Sequence, residues 1–199
     1  HNHTSPFRHS FYTFHIKVPL FVLRQWIKYQ VGSTWRKYEV DGHPVSVEAF
    51  DLFYDEDKGC SWNELSGRYK KLEPDFYVPH KIRGNTGHGS KQSSGDLGWS
   101  DTRNDGYRDI FRDRYKKAYI VYKSMLADGV AKELARLILP VAVYTEVYWT
   151  VSLQSLIHFL RQRLQPDAQF EIRKCALGIY QLVSEDLSGM GITYEDIVT

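Results

Sequence analysis

Cysteine is scarce in this chain: Cys60 and Cys175 are the only two in 199 residues. Two thiols make no disulfide framework and no metal-ligand pattern, which sets aside the disulfide-stapled secreted classes and the cysteine-based zinc modules. Long apolar runs are missing too. No uninterrupted stretch reaches the roughly 18–20 residues a bilayer-spanning helix needs, and no apolar leader opens the chain. These absences fit a cytoplasmic protein that stays off the membrane. Nor is there an excess of one charge: 26 Lys and Arg stand against 24 Asp and Glu, a net of +2. That balance supplies no general field for nucleic acid, so any anion site must be local. His3, His9 and His15 recur every six residues, a spacing that matches no zinc pattern, and no metal is expected. The chain opens on His1 rather than Met, the start expected of a segment of a longer protein.

What is present is enough apolar material, 42% of residues, for a single domain over residues 1–199. FYTFHIKV (Phe11 to Val18) is β-branched and aromatic with rough alternation, and predicts a strand. Pro19 ends it and suits the first turn of a helix over Leu20 to Gln30. That helix puts Arg24, Gln25 and Lys28 on one side and turns Phe21, Leu23 and Ile27 inward. Lys37 to Val47 has strand-like flanks around Asp41-Gly42, a two-residue hairpin signal, and Tyr54 to Gly59 reads as an acidic turn. Residues 80–105, rich in Gly, Ser, Asn and charge, predict a flexible loop. Within it GNTGHGS (Gly84 to Ser90) lacks the preceding apolar strand and the Lys-Ser/Thr ending of a phosphate loop. An amphipathic helix follows over Gly106 to Asp128, closed by Gly129, with Ile110, Phe111, Tyr115, Tyr119, Tyr122 and Leu126 on its buried side. Val130 to Pro140 reads as a shorter helix and Val141 to Ser152 as extended. Leu153 to Leu164 and Asp167 to Val183 are helical. Together these elements give an α+β fold.

The richest segment chemically is SWNELSGRY (Ser61 to Tyr69). Arg68 can fork onto a phosphate, Ser66 can donate to one, and Gly67 lets a backbone N–H approach closely. Glu64 and Asn63 can grip an amide-like edge such as a pyrimidine or flavin ring. Taken alone, the segment reads first as a polar helix-terminal loop with a surface ion pair. Its neighbours decide the matter.

SPFRHSFYTFHIKVPLFVLRQW (Ser5 to Trp26), SWNELSGRY, ELARLILP (Glu133 to Pro140) and SLIHFLRQR…AQFEI (Ser155 to Ile172) occur in the order and roughly the spacing of one family. In this the chain resembles the flavin-dependent thymidylate synthases. Their signature R-H-R-x-x-S-x-N-x-x-S-x-R-Y keeps its second half here as Ser61, Asn63, Ser66, Arg68 and Tyr69. The first half is rewritten as Lys28, Tyr29 and Gln30. Where the family has two residues between the halves, this chain has the 30 of 31–60, so 28 are extra. We read residues 31–58 as an inserted hairpin at the rim of the site.

The resemblance implies an antiparallel sheet with a helical bundle, assembled as a homotetramer whose active sites are shared between subunits. Members usually carry a further strand and helix ahead of the region that starts here at His3. The implied reaction is reductive methylation of dUMP at C5 to give dTMP. Methylenetetrahydrofolate supplies the carbon and FAD, reduced by NADPH, the hydride. In such an enzyme the cofactor carries the hard step while the protein binds, orients and polarises.

Carried over residue by residue, Arg163 matches the arginine that faces the pyrimidine and promotes its ionisation, so it is the catalytic candidate. Spacing from Phe159-Leu160 selects it over Arg161. The resemblance assigns Ser66, Gly67 and Arg68 to the nucleotide phosphate, with Glu64 and Gln25 beside them and Arg136 as a second nucleotide-binding arginine. It assigns His3, Ser5, Asn63, Ser152 and His158 to the flavin, together with the triplet Lys28, Tyr29 and Gln30, where Lys28 also borders the substrate. Ser152 and His158 stand where the family often has Asn, and Arg8 where it often has Glu. Lys28 keeps a charge without the bidentate fork, and Tyr29 can stack but does not titrate as His does. Cys60 and Cys175 have no basic partner in sequence and read as small core hydrophobes. The rewritten triplet leaves two alternatives open: the same chemistry on UMP, as in nucleoside-antibiotic pathways, and a homologue that binds nucleotide or flavin without turnover.

Overall fold

A computed structural model describes residues 7, 9–28, 34–40, 43–49, 60–65, 72, 75–85 and 94–199. Its centre is a three-stranded antiparallel sheet in the order β1 (Phe11–Pro19), β7 (Tyr144–Ser152), β4 (Cys60–Glu64). β1 pairs with β7 along its whole length, from Phe11 opposite Ser152 to Pro19 opposite Tyr144. Strict alternation makes the sheet two-faced. Phe14, Ile16, Val18, Val147, Trp149 and Val151 point into the core, while Phe11 and Tyr148 stay exposed on the other face.

The inward face is covered by α4 (Leu153–Arg163) and α5 (Phe170–Gly189), with α1 (Leu20–Trp26) alongside and the short α6 (Tyr194–Val198) closing the base. Leu156, Phe159 and Leu160 of α4 and Ile172, Ala176 and Leu187 of α5 are fully buried, at helical spacing. The middle of the core is aromatic. Trp26 stacks on Phe159 with ring centroids 4.7 Å apart, and Trp149 meets Trp26 edge-on at 5.2 Å and Trp62 face-on at 5.4 Å. Each such pair adds about 0.5–1.5 kcal/mol to the burial of its area. The indole N–H groups of Trp26, Trp62 and Trp149 find no hydrogen-bond partner among the described residues, so apolar packing holds these rings in the core.

The strand-to-helix corner at Pro19 follows the sequence reading. Pro19 is the last residue of β1 and the N-cap of α1, with φ −64°. No side chain caps this helix; its first free N–H groups, those of Leu20 and Phe21, donate instead to the carbonyls of Val143 and Val141 at 3.0 Å. The helix is shorter than its pattern predicts. It stops at Trp26, where the buried stripe Val22, Leu23, Trp26 is complete, and Ile27 and Lys28 form the turn.

The hairpin signal at Asp41-Gly42 corresponds to β2 (Thr34–Val40) paired antiparallel with β3 (His43–Ala49), with Val40 opposite His43. The two strands form their own sheet, separate from the central one. The acidic turn at 54–59 lies outside the described residues.

The 80–105 segment is more ordered than its composition predicts. β5 (Arg83–Asn85) pairs with β6 (Ser94–Asp96), and α2 (Asp101–Ala127) begins five residues before Gly106. Ser100 caps α2 by accepting from the Arg103 N–H, so the cap outweighs the glycine inside the first two turns. α2 ends as expected before Gly129, whose φ of +84° is the left-handed geometry glycine adopts without a Cβ penalty. Its predicted buried side is only partly right. Tyr122 is buried, Phe111, Tyr115, Tyr119 and Leu126 are half-buried, and Ile110 is 55% exposed. One residue back from Phe111 is a 100° rotation, which carries Ile110 off the stripe that Phe76 covers by stacking on Tyr115 at 5.2 Å. The predicted helix over 130–140 reduces to α3 (Lys132–Ala135) and one 3-10 turn, Arg136–Ile138.

Candidate functional site

The open end of the sheet carries a cavity of about 590 Å³. Three elements supply its charged side chains, with Tyr144 and Thr145 of β7 beside them. β4 delivers Glu64, α1 delivers Arg24, and the 3-10 turn after α3 delivers Arg136; Leu23, Leu139 and Val143 supply apolar wall. Glu64 is fixed by its neighbour strand: it pairs with Val147 in register, and its Oε1 accepts from the Thr145 hydroxyl at 2.8 Å. The next residue, Leu65, donates its N–H to the Glu146 carbonyl at 2.8 Å, which holds the chain against the sheet as it enters residues 66–71. Two guanidiniums and one carboxylate around an apolar floor suit an anion that also carries a flat, weakly polar body.

Of the substrate candidates, the structure brings Glu64 and Arg136 together at this cavity. Ser66, Gly67 and Arg68 come just after Glu64 and Leu65 in the chain and lie outside the described residues, as do His3, Ser5, Tyr29 and Gln30 of the flavin set. Lys28 is exposed in the turn after α1. Arg24 is the residue that sequence reasoning left off its list of candidates. The signal was present, since Arg24 precedes Gln25 in the same motif, but a helical projection grouped the two on one side.

The structure separates them. Gln25 turns away from Arg24 and donates its Nε2 N–H to Gln169 Oε1. Gln169 in turn donates to Glu171 Oε2 at 3.0 Å. The other oxygen of Glu171 accepts from the Tyr77 hydroxyl at 2.7 Å and from the Arg83 guanidinium, which lies over the Phe170 ring at 4.4 Å. This network borders a second cavity of about 460 Å³. Burial raises the Glu171 carboxyl, but hydrogen bonds from Tyr77, its own backbone and Arg83, with the Arg83 charge, outweigh burial and hold it below its ordinary value. Burial, then the hydrogen bond to Glu171, pushes the Tyr77 hydroxyl well up, so it stays a donor.

Arg163 ends α4 and does not line the 590 Å³ cavity. It is half-buried with its Nε enclosed, one helical turn beyond the Phe159 ring that stacks on Trp26. Its neighbour Arg161 is exposed and donates to the Asp196 carbonyl at 3.2 Å, tying α4 to α6. Ser152 is buried and caps α4, its hydroxyl accepting from the Ser155 N–H at 3.3 Å and donating to the Ser155 hydroxyl at 3.2 Å. His158 is exposed on α4. Asn63 is exposed on the outer face of the sheet, opposite Tyr148, whose ring stacks on His15 at 4.7 Å. The Cys175 thiol is pushed up to about 11 by burial and by the Glu171 charge, which keeps it protonated and unreactive at neutral pH. Among the described residues no three His, Cys, Asp or Glu side chains gather as a metal site, and no helix is long and apolar enough to cross a membrane.

Comparison with known proteins supplies the wider frame. Residues 1–187 match the family described as "Thymidylate synthase complementing protein". A flavin-dependent thymidylate synthase of Thermus thermophilus is 35% identical over 185 residues, 93% of this chain and 56% of that protein. One of Kosmotoga olearia is 33% identical over 195 residues, 98% of this chain and 70% of its own length. The chain thus spans little more than half of the Thermus relative. Among solved structures, the UMP/dUMP methylase PolB of Streptomyces cacaoi superposes with TM-scores of 0.68 bound with 5-Br dUMP and 0.71 bound with 5-Br UMP. Identity is 26% and 25%, covering 92% of this chain and 69% and 72% of those chains.

Proposed function

The chain belongs to the flavin-dependent thymidylate synthase family, and on that premise we propose that it methylates a uridine nucleotide reductively at C5, converting dUMP to dTMP with methylenetetrahydrofolate, NADPH and FAD. The observation that carries the reading is the cavity of Arg24, Glu64 and Arg136 at the mouth of SWNELSGRY. Two cations there answer a nucleotide phosphate, and Ser66, Gly67 and Arg68 follow within four residues of Glu64.

Arg163 is the catalytic residue in this reading. A guanidinium beside the pyrimidine stabilises negative charge developing on the ring and makes C5 the better nucleophile. Its place at the end of α4, outside the lining of its own chain's cavity, fits an active site shared between subunits of a homotetramer. The exposed Leu134, Leu137 and Ile138 next to that cavity supply apolar surface for such a contact. Bound flavin supplies the hydride for the methyl group. Asn63, with an exposed amide that can both donate and accept, fits the uracil-like edge of that ring; the Ser152 hydroxyl, already a helix cap, does not. Lys28, Tyr29, Gln30, His3, Ser5 and His158 complete the proposed flavin set.

UMP is the second substrate to test, since the structural relative PolB is a methylase of both UMP and dUMP and was solved with an analogue of each. The purified protein should be yellow or turn so on adding FAD, and should oxidise NADPH when folate and a uridylate are both present. Flavin uptake without uridylate-dependent turnover on either nucleotide would leave a binding protein and sink the enzyme reading.

A further inference from the structure

Glu64 and Thr145 meet at the end of the central sheet, and both line the 590 Å³ cavity. Glu64 pairs in register with Val147, and Thr145 lies two residues along β7 on the same face. Thr145 is only 6% exposed and is β-branched, so packing and a stiff first torsion hold its hydroxyl in place. That hydroxyl donates to Glu64 Oε1 at 2.8 Å. Among the described residues no group holds the other oxygen, Oε2.

Charge decides which end of a uridylate comes to this pair. A carboxylate repels the phosphate, which belongs with Arg24 and Arg136. It also only accepts hydrogen bonds, so it takes a donor. The donors of a uridylate are the imide N–H and the sugar hydroxyls. In the proposed reaction negative charge builds on the pyrimidine, and a carboxylate beside the imide would oppose it. The sugar gains no charge. dUMP brings one hydroxyl there, on C3′, and UMP brings a neighbouring pair on C2′ and C3′. Such a diol binds a carboxylate best with one hydroxyl on each oxygen. An oxygen whose charge one hydroxyl already meets attracts a second less strongly.

We propose that Thr145 sets the sugar preference of the site: it occupies Glu64 Oε1, so Glu64 offers Oε2 alone, which matches the single 3′-hydroxyl of dUMP and denies UMP a two-point grip on its diol. The 2′-hydroxyl of UMP then gives up water without a partner in return. The proposal rests on the reading that a uridylate fills this cavity. It assigns the choice between the two substrates to a buried, uncharged residue outside the motifs that mark the family.

The first measurement needs no variant. Titration calorimetry on the full chain loaded with FAD compares dUMP, UMP and 2′,3′-dideoxyuridylate, which lacks the 3′-hydroxyl. dUMP should bind about tenfold more tightly than either, the scale of one hydrogen bond to a charged group. Thr145→Val keeps the shape and removes the hydroxyl. It opens Oε1 to the diol, so the dUMP-to-UMP ratio of kcat/KM should fall about tenfold. Thr145→Ser restores the hydroxyl and should keep the native preference. A role in packing alone would move the melting temperature and leave that ratio in place. Equal affinity of the native chain for dUMP and UMP, a preference for UMP, or a native ratio in Thr145→Val would overturn the proposal. Native affinity for all three nucleotides in Glu64→Gln would place Glu64 away from the sugar and overturn it too. If no uridylate binds the native chain at all, the reading of the cavity falls and takes the proposal with it.

Discussion

Arg24 and Gln25 are adjacent in sequence and part company in space: one lines the cavity and the other joins the carboxylate network. The contrast makes residue-level effects separable. Arg24→Ala removes a cation from the rim of the site, and a hydrogen bond to a charged group contributes roughly 1.5–3 kcal/mol. It should therefore raise KM for uridylate about tenfold or more with kcat nearly intact, the pattern of lost uniform binding. In the proposed reaction, Arg163→Ala removes charge stabilisation needed only as the ring ionises. It should cut kcat by about a hundredfold or more while FAD binding persists. Steady-state kinetics on both variants decides between these roles, and unchanged turnover in Arg163→Ala would remove it from the mechanism. Glu64 and Arg136 were legible because they sit inside motifs with a known family pattern. Arg24 was not, because helix periodicity places a residue on a face but does not say which of two cavities that face borders.

At the level of elements, hydrophobic pattern and turn chemistry placed most of the fold. Phe11 to Val18 alternates and is a strand, Asp41-Gly42 marks the hairpin, and Gly129 closes the long helix. What composition hid was the order within 80–105. That order comes from long-range partners: Arg83 reaches Glu171 on α5, and the Ile82 N–H donates to Asn104 on α2 at 2.8 Å. No local window contains such pairs. The Arg83–Glu171 pair gives this region a pH signature. The Glu171 carboxyl titrates below its ordinary value in the folded state, so its stabilisation is complete above the unfolded value near 4.5 and is lost as pH falls through the lowered folded value. Glu171→Gln should lower the melting temperature at pH 7 by several degrees, from about 2 kcal/mol of charged hydrogen bonding. The gap from the native chain should then narrow as pH falls below the ordinary carboxylate value near 4.5. A gap that stays constant down to the acid limit of the folded protein in thermal melts would show that the carboxylate's charge is not what matters. The β2–β3 hairpin stands apart in the same way, paired with itself and not with the central sheet. Deleting Lys37 to Glu56 should move the melting temperature by less than about 4 °C while changing uridylate affinity severalfold. Loss of folded protein instead would make the hairpin a structural member.

For the whole molecule the question is what covers its exposed aliphatic side chains. Two sets among them bear on assembly. Leu137 lines the cavity and is 76% exposed, with the exposed Leu134 and Ile138 on the same short helical segment; Ile110 and Val121 lie eleven residues apart on one side of α2 and are 55% and 45% exposed. A homotetramer with dihedral symmetry needs two different self-complementary interfaces, and two separate apolar patches on one chain meet that requirement. The proposal of a shared active site adds a sharper expectation, because only the patch beside the cavity should carry binding with it. If the proposed tetramer is right, Leu134→Glu combined with Ile138→Glu should shift the assembly to a smaller species in sedimentation velocity and weaken uridylate binding in the same preparation. Ile110→Glu combined with Val121→Glu should also reduce the assembly, yet leave uridylate affinity within about twofold. The reasoning is geometric: a charge buried in an interface opposes it by several kcal/mol, whereas one on a face that never touches the nucleotide leaves binding alone. If the native chain sediments as a monomer and binds uridylate, the site is complete within one subunit. Arg163 would then have to reach the nucleotide from its own α4. If both double variants dissociate and both keep full affinity, assembly and binding are independent, and the shared site is wrong while the tetramer stands.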